Sequence, residues 1–499
     1  MDAARPDDAG DGLAWATAKQ TIQAAVDLTV SNDTVLVTNG VYATGESVAP
    51  GYACSNRVVI TKDVIVQSVN GPAATIIQGQ GPPGDSAVRC IYMSSGTLIG
   101  FTLTNGSTWT SGNYDYDCSG GGVSMYGGNG MASNCLISGN AAYSGGGTCY
   151  GTVINCMISG NSAEYGGGTF YGTVNNCTIS GNSASSGGGG TYAGVINNCT
   201  INGNSANSGG GTYGGTVNNC TISGNSANGD GGGTHSSSVR NSIVWNNTAP
   251  LGSNYYNATL AYSCTIPLAP GTGNITNDPL LVNLSHINFS SPCLGAGSNG
   301  YATGWDIDGE PWRNPPAMGC DEVYPNGLTG ALTVAISAPR TTNLVGAMLA
   351  FSALIYGHPA SNHWSFGDGS AIANEIGVQH SWSATGQYWV IVAAFNVDNL
   401  TGVAATVGVM IVTLDQITSY VNMANPAPSY PYQTWATAAT NIQDAVEAAE
   451  ATEITGARVM VTNGTYAAGG RVTPGFACSN RVLITKDIIV QSVCGPAAA

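Results

Sequence analysis

Short stretches of the chain alternate between apolar and polar residues, and no apolar run recurs at helical spacing between residues 118 and 250. In Cys177-Thr-Ile-Ser180, for example, Cys177 and Ile179 alternate with two hydroxyl side chains. A period of two residues is typical of β-strands that bury one face. The pattern therefore predicts that this region is built from short strands.

The alternating stretches recur at a nearly constant distance along the chain. The segment Asn176-Cys-Thr-Ile-Ser-Gly-Asn182 returns, with one Ser replaced by Asn, at 198–204 and again unchanged at 219–225. The cysteines of the repeat stand 21, 21, 22 and 21 residues apart, and Ser242 takes the same place 22 residues later. Three strands of three to five residues plus their turns fill about 21 residues, and coils of this length stacked roughly 4.8 Å apart form a parallel β-helix.

Stacking in register places each repeated residue in a column. One column is expected to contain Asn140, Asn161, Asn182, Asn204, Asn225 and Asn247. These side chains can satisfy backbone groups at a turn, where asparagine also tolerates the left-handed backbone conformation. A second column is expected to fill the core with small apolar side chains, namely Cys135, Cys156, Cys177, Cys199 and Cys220. The glycine runs would form the other tight bend and allow close packing of the coils.

The repeated Ile-x-x-Asn followed by Gly-Gly-Gly-Thr-Tyr resembles the right-handed parallel β-helix repeat proteins of bacterial surfaces and, more loosely, the chlamydial polymorphic outer-membrane proteins. This chain has Ile where the latter have Phe, and Thr after its glycines. The wider resemblance is to the pectin-lyase-like superfamily, which contains both polysaccharide-cleaving enzymes and non-catalytic adhesins. The resemblance therefore implies a right-handed parallel β-helix and leaves the function open.

Residues 1–112 are expected to form a cap and the entry coils of this solenoid. Thr17-Ala-Lys-Gln20 matches a capping box, and Ile22 and Val26 share one helical face, so Thr17–Asp27 is predicted to be a helix that covers the first coil. A cap is needed because the open end of a solenoid exposes apolar core and unpaired strand edges. Entry strands are predicted at Thr34–Thr38, Arg57–Thr61, Val64–Val69, Thr75–Gln78 and Val88–Met93.

Residues 113–330 are expected to contain the regular coils and a closing segment. Ser291-Pro-Cys293 and the later Asp306-Ile-Asp-Gly-Glu-Pro-Trp-Arg313 resemble the segments that finish the solenoid in bacterial β-helix repeat proteins. Longer alternating strands without the coil period follow. Among them, Trp364-Ser-Phe-Gly-Asp-Gly-Ser370 resembles the PKD domain, an immunoglobulin-like β-sandwich, which is therefore expected over residues 331–415.

The start of the chain reappears near its end. Trp15-Ala-Thr-Ala matches Trp435-Ala-Thr-Ala, and Cys54-Ser-Asn-Arg-Val matches Cys478-Ser-Asn-Arg-Val, at offsets of 420 and 424 residues. Residues 416–499 are therefore expected to begin a second β-helix. The first residues have no hydrophobic signal core, and we expect the sequence to be a piece of a longer protein whose signal peptide and anchor lie outside it.

The composition restricts the partners. The chain has 28 acidic and 12 basic residues among 499, which gives a net charge of −16. A sparse and acidic surface argues against binding to nucleic acid, and the lack of 18 consecutive apolar residues argues against membrane insertion of this fragment. The cysteine column is expected to hold free buried thiols, because stacked parallel side chains seldom meet the geometry of a disulfide. Pairing in loops is left open for Cys54, Cys90, Cys293 and Cys320.

The regular coils have too few charged residues for the chemistry of polysaccharide-cleaving enzymes. Lyases need carboxylates for Ca²⁺ beside a basic residue, and hydrolases need two carboxylates at a set distance. Glu164 and Asp230 lie three coils apart, about 14 Å by the strand spacing. No catalytic residue is therefore predicted. The alternative function, a polysaccharide lyase or glycoside hydrolase, would have to use Asp115, Asp117, Arg57 and Arg89, or the trio Asp230, His235 and Arg240.

No cofactor or metal is expected. Asp306, Asp308 and Glu310 match half of a calcium-binding loop, with a glycine at the turn. A structural turn is the favoured interpretation, and a Ca²⁺ site is the alternative.

Aromatic residues follow the glycine runs on successive coils. They are Tyr150, Phe170, Tyr171, Tyr192 and Tyr213, and His235 takes this place in the last regular coil. Rings about 5 Å apart can stack on the sugars of a linear glycan if the column faces water, whereas an inward column would be core.

These features predict an extracellular or cell-surface rod without catalytic activity, which mediates adhesion or binds a polysaccharide or cell-surface glycan. The alternatives are the enzyme described above and a structural spacer that binds nothing. The low number of carboxylates favours the rod and the spacer over the enzyme. An exposed aromatic column would favour the rod over the spacer.

Overall fold

The computed structural model describes residues 1–127, 129–324, 330–396, 398–452, 456–473 and 478–495. The chain forms two compact units, Met1–Gly327 and Leu328–Ala499. The first is a parallel β-helix, and the second contains a β-sandwich followed by the first strands of another parallel sheet, which confirms the predicted fold class. The predicted boundary at residue 330 adjoins residues 325–329, which lie outside the described part, and the finer domain limits stay predictions.

Three ten-stranded sheets, here called sheets A, B and C, form the sides of the β-helix. Sheet A consists of Thr34–Val37, Ile65–Ser68, Thr97–Ile99, Met131–Ser133, Thr152–Ile154, Thr173–Asn175, Val195–Asn197, Thr216–Asn218, Ser238–Arg240 and Thr259–Ala261. Sheet B consists of Gly40–Tyr42, Thr75–Gln78, Thr102–Thr104, Leu136–Ser138, Met157–Ser159, Thr178–Ser180, Thr200–Asn202, Thr221–Ser223, Ile243–Trp245 and Cys264–Thr265. Sheet C consists of Ser47–Val48, Ser55–Ile60, Val88–Met93, Val123–Met125, Thr148–Tyr150, Thr169–Phe170, Thr191–Tyr192, Thr212–Tyr213, Thr234–His235 and Tyr255–Tyr256.

The strands pair in parallel and in register from coil to coil, except for the antiparallel pair at the start of sheet C. In sheet A, Val174 pairs with Ile196, and in sheet B, Ile179 pairs with Ile201. All four side chains are buried in one continuous core. The alternation seen in the sequence is therefore the alternation between this core and the outer surface.

A fourth, shorter sheet, sheet D, was not predicted. It consists of Ser162–Tyr165, Ser183–Gly187, Ser205–Ser208 and Ser226–Asp230. Its pairing is irregular, with a register shift between Ala163 and Tyr165. These segments hold mainly Ser, Ala, Asn and Gly rather than β-branched residues, so their extended conformation depends on pairing with neighbouring coils and not on strand propensity.

Asn140 and the residues that repeat it form a buried ladder inside the solenoid. Asn161 shows the pattern: its Nδ2 donates to Asn182 Oδ1 at 2.9 Å and to the carbonyl of Ile137 at 2.9 Å. The same Oδ1 accepts the backbone N–H of Asn161 at 3.0 Å. The ladder continues through Asn204, Asn225 and Asn247 and ends on Asn254, whose Oδ1 accepts from Asn247. Each coil thereby satisfies polar groups of the coil before it.

The left-handed turn lies at a different asparagine from the expected one. Positive φ angles between 47° and 54° occur at the residue that precedes each Cys or Ser242, namely Asn134, Asn155, Asn176, Asn198, Asn219 and Asn241. Before each ladder asparagine from Asn140 to Asn225, the positive φ belongs to a glycine such as Gly181, at 62°. The ladder positions therefore need an amide side chain. The positions before each Cys and before Ser242 need a residue that tolerates a left-handed backbone.

The cysteine column does more than fill the core. Cys177 Sγ accepts the backbone N–H of Cys156 at 3.3 Å and donates to the carbonyl of Asn175 at 3.1 Å. Ser242 Oγ makes the equivalent bonds to Cys220 and Arg240. The position therefore requires a small side chain that both accepts and donates a hydrogen bond, which explains why serine can replace cysteine there. All fourteen cysteines are free thiols, including the four left open for pairing.

The glycine runs lie where neighbouring coils approach most closely. Gly166 has a φ of +65°, which other residues rarely adopt. A Cβ atom on Gly167 would stand 2.3 Å from the carbonyl oxygen of Ser183 and 2.6 Å from that of Gly189. A side chain at Gly167 would therefore push the next coil away.

The cap helix is shorter than predicted. It spans Ile22–Leu28 and follows a 3₁₀ turn at Trp15–Thr17. Its N-cap is Thr21, and Asp8 fixes this start by accepting hydrogen bonds from the backbone N–H and hydroxyl of Thr21. The predicted start at Thr17 was wrong because a carboxylate 13 residues upstream, rather than a local capping box, orders the first turn.

The sandwich in the second unit packs two sheets around four large aromatic side chains. One sheet consists of Thr333–Ser337, Leu349–Tyr356 and Gly377–His380. The other consists of Thr342–Leu344, Ser361–Ser365, Ala371–Ala373, Gly386–Asn396 and Asn399–Val412. Phe351, Trp364, Phe366 and Trp382 are buried between them. Trp382 Nε1 donates to the carbonyl of Phe366, which fixes the predicted Phe-Gly-Asp-Gly turn against the core.

The last part of the chain contains a helix and a parallel sheet, like the start of the chain. A 3₁₀ turn at Leu414–Ile417 and the strand Thr418–Val421 come first, and the helix Ile442–Glu450 takes the place of Ile22–Leu28. The later strands are Ala457–Val461, Arg471–Val472, Ser479–Asn480 and Ile488–Ser492. Thr418–Val421, Ala457–Val461 and Ile488–Ser492 form a parallel three-stranded sheet.

Within the described residues, none of the helices combines the length and the apolar character needed to cross a membrane.

Candidate functional site

The predicted aromatic column divides into two columns on the outer surface. In sheet C, Phe170, Tyr192, Tyr213, His235 and Tyr256 pair in register on successive coils, and we call this set the ring ladder. Tyr150 and Tyr171 belong to a second column one residue further along, where the backbone is left-handed with φ of 60° and 56°. The sequence suggested one column because the spacing of the repeat does not separate two adjacent positions at the end of a strand.

The rings of the ladder lie nearly parallel and cover each other. The ring centroids of Phe170 and Tyr192 are 5.3 Å apart, those of Tyr192 and Tyr213 5.0 Å, and those of Tyr213 and His235 4.6 Å. Their interplanar angles are 17°, 3° and 6°. Tyr150 and Tyr171 stack likewise at 5.5 Å and 10°. The spacing of the rings is that of the coils.

The ladder faces outward but is only partly exposed. Phe170, Tyr192, Tyr213 and His235 are half-buried, and Tyr256 at the end of the ladder is 39% exposed. Because each ring covers the face of the next, a ligand on this surface would contact ring edges and not the flat faces that the sequence-based hypothesis assumed. Free faces are available only where the stack ends.

His235 and Asp230 form the polar part of this surface. His235 Nε2 lies 3.5 Å from Asp230 Oδ1, and its ring stacks between Tyr213 and Tyr256. Arg240, the third member of the predicted trio, is in sheet A, where its guanidinium lies 5.1 Å from the ring centroid of Tyr301. The structure therefore brings together His235 and Asp230 and separates Arg240 from them.

The second predicted cluster consists of Arg57, Arg89, Asp115 and Asp117 in and near the entry coils. Arg89 and Asp117 fix the loop around residues 113–119 against the entry coils. Arg89 is 1% exposed and donates to the carbonyls of Ser119 and Tyr116 and to Asn56 Oδ1. Asp117 Oδ1 accepts the backbone N–H groups of Ala53 and Cys54.

Arg57 is buried in the same way and donates to the carbonyls of Gln78 and Gly45. Asp115 alone among the four predicted residues is exposed. The hydrogen bonds of the two arginines and of Asp117 are directed at the protein itself, as expected for a structural role.

Carboxylates of the closing segment converge near the end of the solenoid. Oxygen atoms of Asp306, Asp308 and Asp321 lie within 4.8 Å of one another. Asp306 Oδ1 accepts the backbone N–H groups of Asp308 and Glu310, and its Oδ2 accepts that of Glu322. Asp306 is thereby hydrogen-bonded to the backbone of its own turn and of Glu322, and the choice between a structural turn and a Ca²⁺ site stays a prediction.

His286 supplies a positive charge beside these carboxylates. Its Nε2 lies 2.6 Å from Asp308 Oδ2, and its Nδ1 lies 2.8 Å from Asn283 Oδ1. Burial alone would lower the pKa of His286, but the carboxylates of Asp321 and Asp308 raise this pKa to about 9. Burial raises the pKa of Asp321 to about 7. A Ca²⁺ ion at this cluster would have to compete with the imidazolium of His286.

Sequence reasoning missed a polar cleft beside the closing segment. The asparagines with left-handed backbones point their amides at this segment: Asn176 Nδ2 donates to the carbonyl of Asp306, and Asn198 Nδ2 to that of Trp305. On the two preceding coils, Asn155 and Asn134 occupy the same column and are exposed. They line a cleft of about 840 Å³ together with Trp305, which is 57% exposed.

The regular recurrence of Asn before each Cys is the signal in the sequence that could have indicated this cleft. The closing segment itself comes from more than 100 residues further along the chain. The position of the closing segment beside the coils therefore could not be predicted from the repeat.

The coils, their ladders and the sandwich define the chain as a parallel β-helix protein with a second, immunoglobulin-like unit. Residues 331–409 match the family model of the PKD domain, which identifies the sandwich. One solved structure that matches is the crystal structure of a pectin methylesterase mutant in complex with hexasaccharide IV, at 13% sequence identity and a TM-score of 0.27. That match covers 52% of this chain and 89% of the other. No curated protein matches.

Proposed function

We propose that this protein is a non-catalytic, secreted or cell-surface rod that binds a polysaccharide or cell-surface glycan through the outer face of its β-helix. The observation that carries the proposal is the ring ladder, a continuous row of half-exposed rings at the coil spacing. A linear polymer with a repeating chemical unit suits a surface that repeats every coil.

The edge geometry of the rings shapes the proposed contact. The stacked rings present their edges to solvent, and His235 and Asp230 supply further polar groups near one end of the row. A glycan lying along the ladder would pack its apolar faces against the ring edges and hydrogen-bond to the polar groups. Because each contact is small, affinity would depend on several coils acting together.

The enzyme alternative has little support in the coils. Glu164 and Asp230 are in the outermost strands of sheet D, about 14 Å apart by the strand spacing, whereas paired catalytic carboxylates lie within roughly 5–9.5 Å. The spacer alternative leaves the ring ladder without a partner and makes it a stabilising element only. Electrophoresis in gels that contain a polysaccharide distinguishes the enzyme from the spacer.

Affinity electrophoresis in gels cast with polygalacturonate, alginate or xylan tests the proposal. Retardation of the chain in one of these gels, without clearing when the gel is stained for the polymer, is the expected result. A cleared zone would contradict the non-catalytic proposal. Migration unchanged by every polymer would favour the spacer.

A triple variant locates the binding surface. Replacing Phe170, Tyr192 and Tyr213 by Ser should abolish the retardation, while Tyr356→Ser, at a tyrosine of the sandwich that is 59% exposed, should leave it intact. A third variant, Trp305→Ala, tests the cleft of the closing segment. Retardation that is lost only in Trp305→Ala would place the glycan in the cleft and contradict its binding to the ladder.

A further inference from the structure

The series of aromatic rings continues beyond the ring ladder toward the entry coils. The ring centroid of Tyr150 lies 6.3 Å from that of Phe170, and that of Tyr126 lies 5.0 Å from that of Tyr150. Tyr116 follows at 4.2 Å from Tyr126, and Tyr52 at 4.3 Å from Tyr116. All four tyrosines are half-buried, like most of the ladder. We call these four tyrosines together with the ring ladder the aromatic row.

The aromatic row follows most of the length of sheet C. At one end, the ring of Tyr52 lies 5.5 Å from that of Tyr92, in the strand Val88–Met93, and at the other end the row reaches Tyr256. These two ends belong to the first and the last of eight neighbouring strands of sheet C, which span roughly 34 Å at the usual strand spacing. A surface of this length can contact several sugars of one linear glycan, so charges along it affect which polymer binds.

Asp115 supplies the first negative charge beside the row. It is exposed and lies in the loop between Tyr114 and Tyr116, so it directly precedes a ring of the row. Burial, together with the charges of Cys149 and Asp115, raises the pKa of Tyr150 to about 12. The carboxylate of Asp115 is therefore close enough to the row to act on the charge of its rings.

Glu164 supplies a second negative charge near the middle of the row. Its backbone N–H donates to the carbonyl of Tyr143 at 2.9 Å, and burial followed by the carboxylate of Glu164 raises the pKa of Tyr143. The next residue, Tyr165, has its ring 5.4 Å from that of Tyr192 in the ladder. Glu164 is half-buried, so solvent still reaches its side chain.

Asp230 supplies the third negative charge. Its Oδ1 lies 3.5 Å from Nε2 of His235, and 25% of its side chain is exposed. Within the described residues, Asp115 and Glu164 take part in none of the ion pairs. Their charges are therefore available to a ligand that lies along the row.

Basic residues that could attract an acidic polymer are scarce in this part of the sequence. Arg240 is the single Lys or Arg between Arg89 and Arg313. The guanidinium of Arg240 lies over the ring of Tyr301, in sheet A, and Arg89 is 1% exposed. A glycan with carboxylate groups would therefore meet like charges along the row and gain few ion pairs.

We propose that the aromatic row binds linear glycans of amino sugars, whose ammonium groups pair with Asp115, Glu164 and Asp230, and rejects polymers of uronic acids. The inference rests on the proposed binding of a glycan to the ring ladder and names the chemical class of that glycan. A polymer with an amino group on every sugar reaches all three carboxylates without a fixed register. Because each exposed ion pair contributes little, selectivity depends on all three acting on one polymer.

Isothermal titration calorimetry of the full chain with three soluble oligosaccharides of equal length tests the proposal. They are an oligomer of glucosamine, its fully N-acetylated neutral form, and an oligomer of galacturonic acid. The glucosamine oligomer should bind at least about 10-fold more tightly than the acetylated one, with a smaller difference at high salt, and the galacturonic acid oligomer should not bind.

The outcomes of this titration separate the two proposals. Binding of the galacturonic acid oligomer as tight as that of the glucosamine oligomer would overturn the selectivity and leave glycan binding standing. Equal affinities for the glucosamine oligomer and its acetylated form would do the same. Binding of none of the three would overturn the inference, and affinity electrophoresis with the polymers then decides whether the proposed glycan binding fails with it.

Two variants of equal net charge locate the effect. The first replaces the three carboxylates of the row by amides: Asp115→Asn, Glu164→Gln and Asp230→Asn. The control removes as many charges at exposed positions outside the row: Asp7→Asn, Asp63→Asn and Asp278→Asn. The first variant should bind the glucosamine oligomer about 10-fold more weakly, and the control should change this affinity by less than about 2-fold. Equal losses in both would show that the net charge of the chain attracts the oligomer, and would overturn the proposal.

Discussion

The amide nitrogen of Asn161 lies 2.9 Å from Oδ1 of Asn182, and that one oxygen also accepts the backbone N–H of Asn161. A single side chain on one coil thus satisfies two donors on the coil before it. Loss of the Asn182 side chain should therefore lower the free energy of unfolding by more than the loss of one hydrogen bond would.

Replacing Asn182 by Leu should destabilise the β-helix by roughly 3 kcal/mol or more. The change leaves the two donors of Asn161 and the carbonyl of Ile158 without partners in a buried site, and each unsatisfied group costs about 1–3 kcal/mol. Urea denaturation followed by circular dichroism measures the change. The control is Asn207→Leu at an exposed position of sheet D, which should alter stability by less than about 0.5 kcal/mol. Equal effects of the two variants would contradict the ladder.

The cysteine column should tolerate serine better than alanine. Cys177→Ser keeps a group that can accept from Cys156 and donate to Asn175, as Ser242 does in its own coil, and should change the stability by about 1 kcal/mol or less. Cys177→Ala removes both bonds and leaves a small cavity, so a loss of about 2 kcal/mol is expected. Urea denaturation of both variants decides this, and an alanine variant as stable as the serine variant would show that the column is only apolar filler.

Thiol reactivity should separate two cysteines from the other twelve. Cys478 and Cys494 are exposed, and the remaining cysteines are buried. Burial also raises the pKa of Cys90 and that of Cys320 to about 12, which suppresses their reactive thiolate forms. Titration with a chromogenic disulfide at mildly alkaline pH should find two fast thiols in the native chain and all fourteen after unfolding. A lower total would reveal disulfides among the residues that the sequence left open.

The sandwich should lose stability as the pH falls from about 4 to 2. Burial opposes ionisation of Asp368, but hydrogen bonds from Ser370 and His380 outweigh it and lower the pKa of Asp368 to about 2. Because this pKa lies below the value of about 3.9 in unfolded chains, the stabilisation is complete above pH 4 and disappears as the folded carboxylate becomes protonated.

Thermal unfolding of Asp368→Asn tests this pH dependence. The variant should melt about 5 °C below the native chain at neutral pH, and the difference should vanish near pH 2. Asp415→Asn, at an exposed carboxylate of the same unit, should melt like the native chain at both pH values. A difference that persists at pH 2 would mean that Asp368 acts through its shape and not its charge.

Millimolar Ca²⁺ should leave the Tm of the β-helix unchanged. Asp306 already accepts three backbone N–H groups, and His286 already contacts Asp308. Differential scanning calorimetry with Ca²⁺ or a chelator measures the effect. A rise in Tm with Ca²⁺ that is lost in Asp306→Asn would establish a metal site at this turn.

The coil architecture could be predicted because it is periodic. The alternation in Cys177-Thr-Ile-Ser180 and the asparagine at position 182 recur in every regular coil, because each coil makes the same contacts with its neighbours. The sequence therefore shows each of these patterns several times. The features that were missed depend on groups distant in sequence. Asp8 sets the start of the cap helix, and the closing segment returns to the asparagine column across 130 residues at Asn176.

The candidate site was predicted less well than the fold. The residues of the aromatic column could be identified, but the repeat spacing does not show that Tyr150 and Tyr171 have left-handed backbones and form a separate column. It also does not show that rings such as Tyr192 and Tyr213 cover each other's faces. The side-chain rotamers of these rings depend on packing between neighbouring coils. The sequence of one repeat does not determine that packing.

The glycine runs and the asparagine ladder allow the number of coils to change during evolution. Each regular coil presents to the next the same surface that it receives from the one before, as in the pairing of Val174 with Ile196 and of Ile196 with Val217. Recombination that duplicates or deletes one repeat of DNA would lengthen or shorten the β-helix by roughly 5 Å and create no new interface. The length of the β-helix is therefore a trait that can vary in steps of one coil.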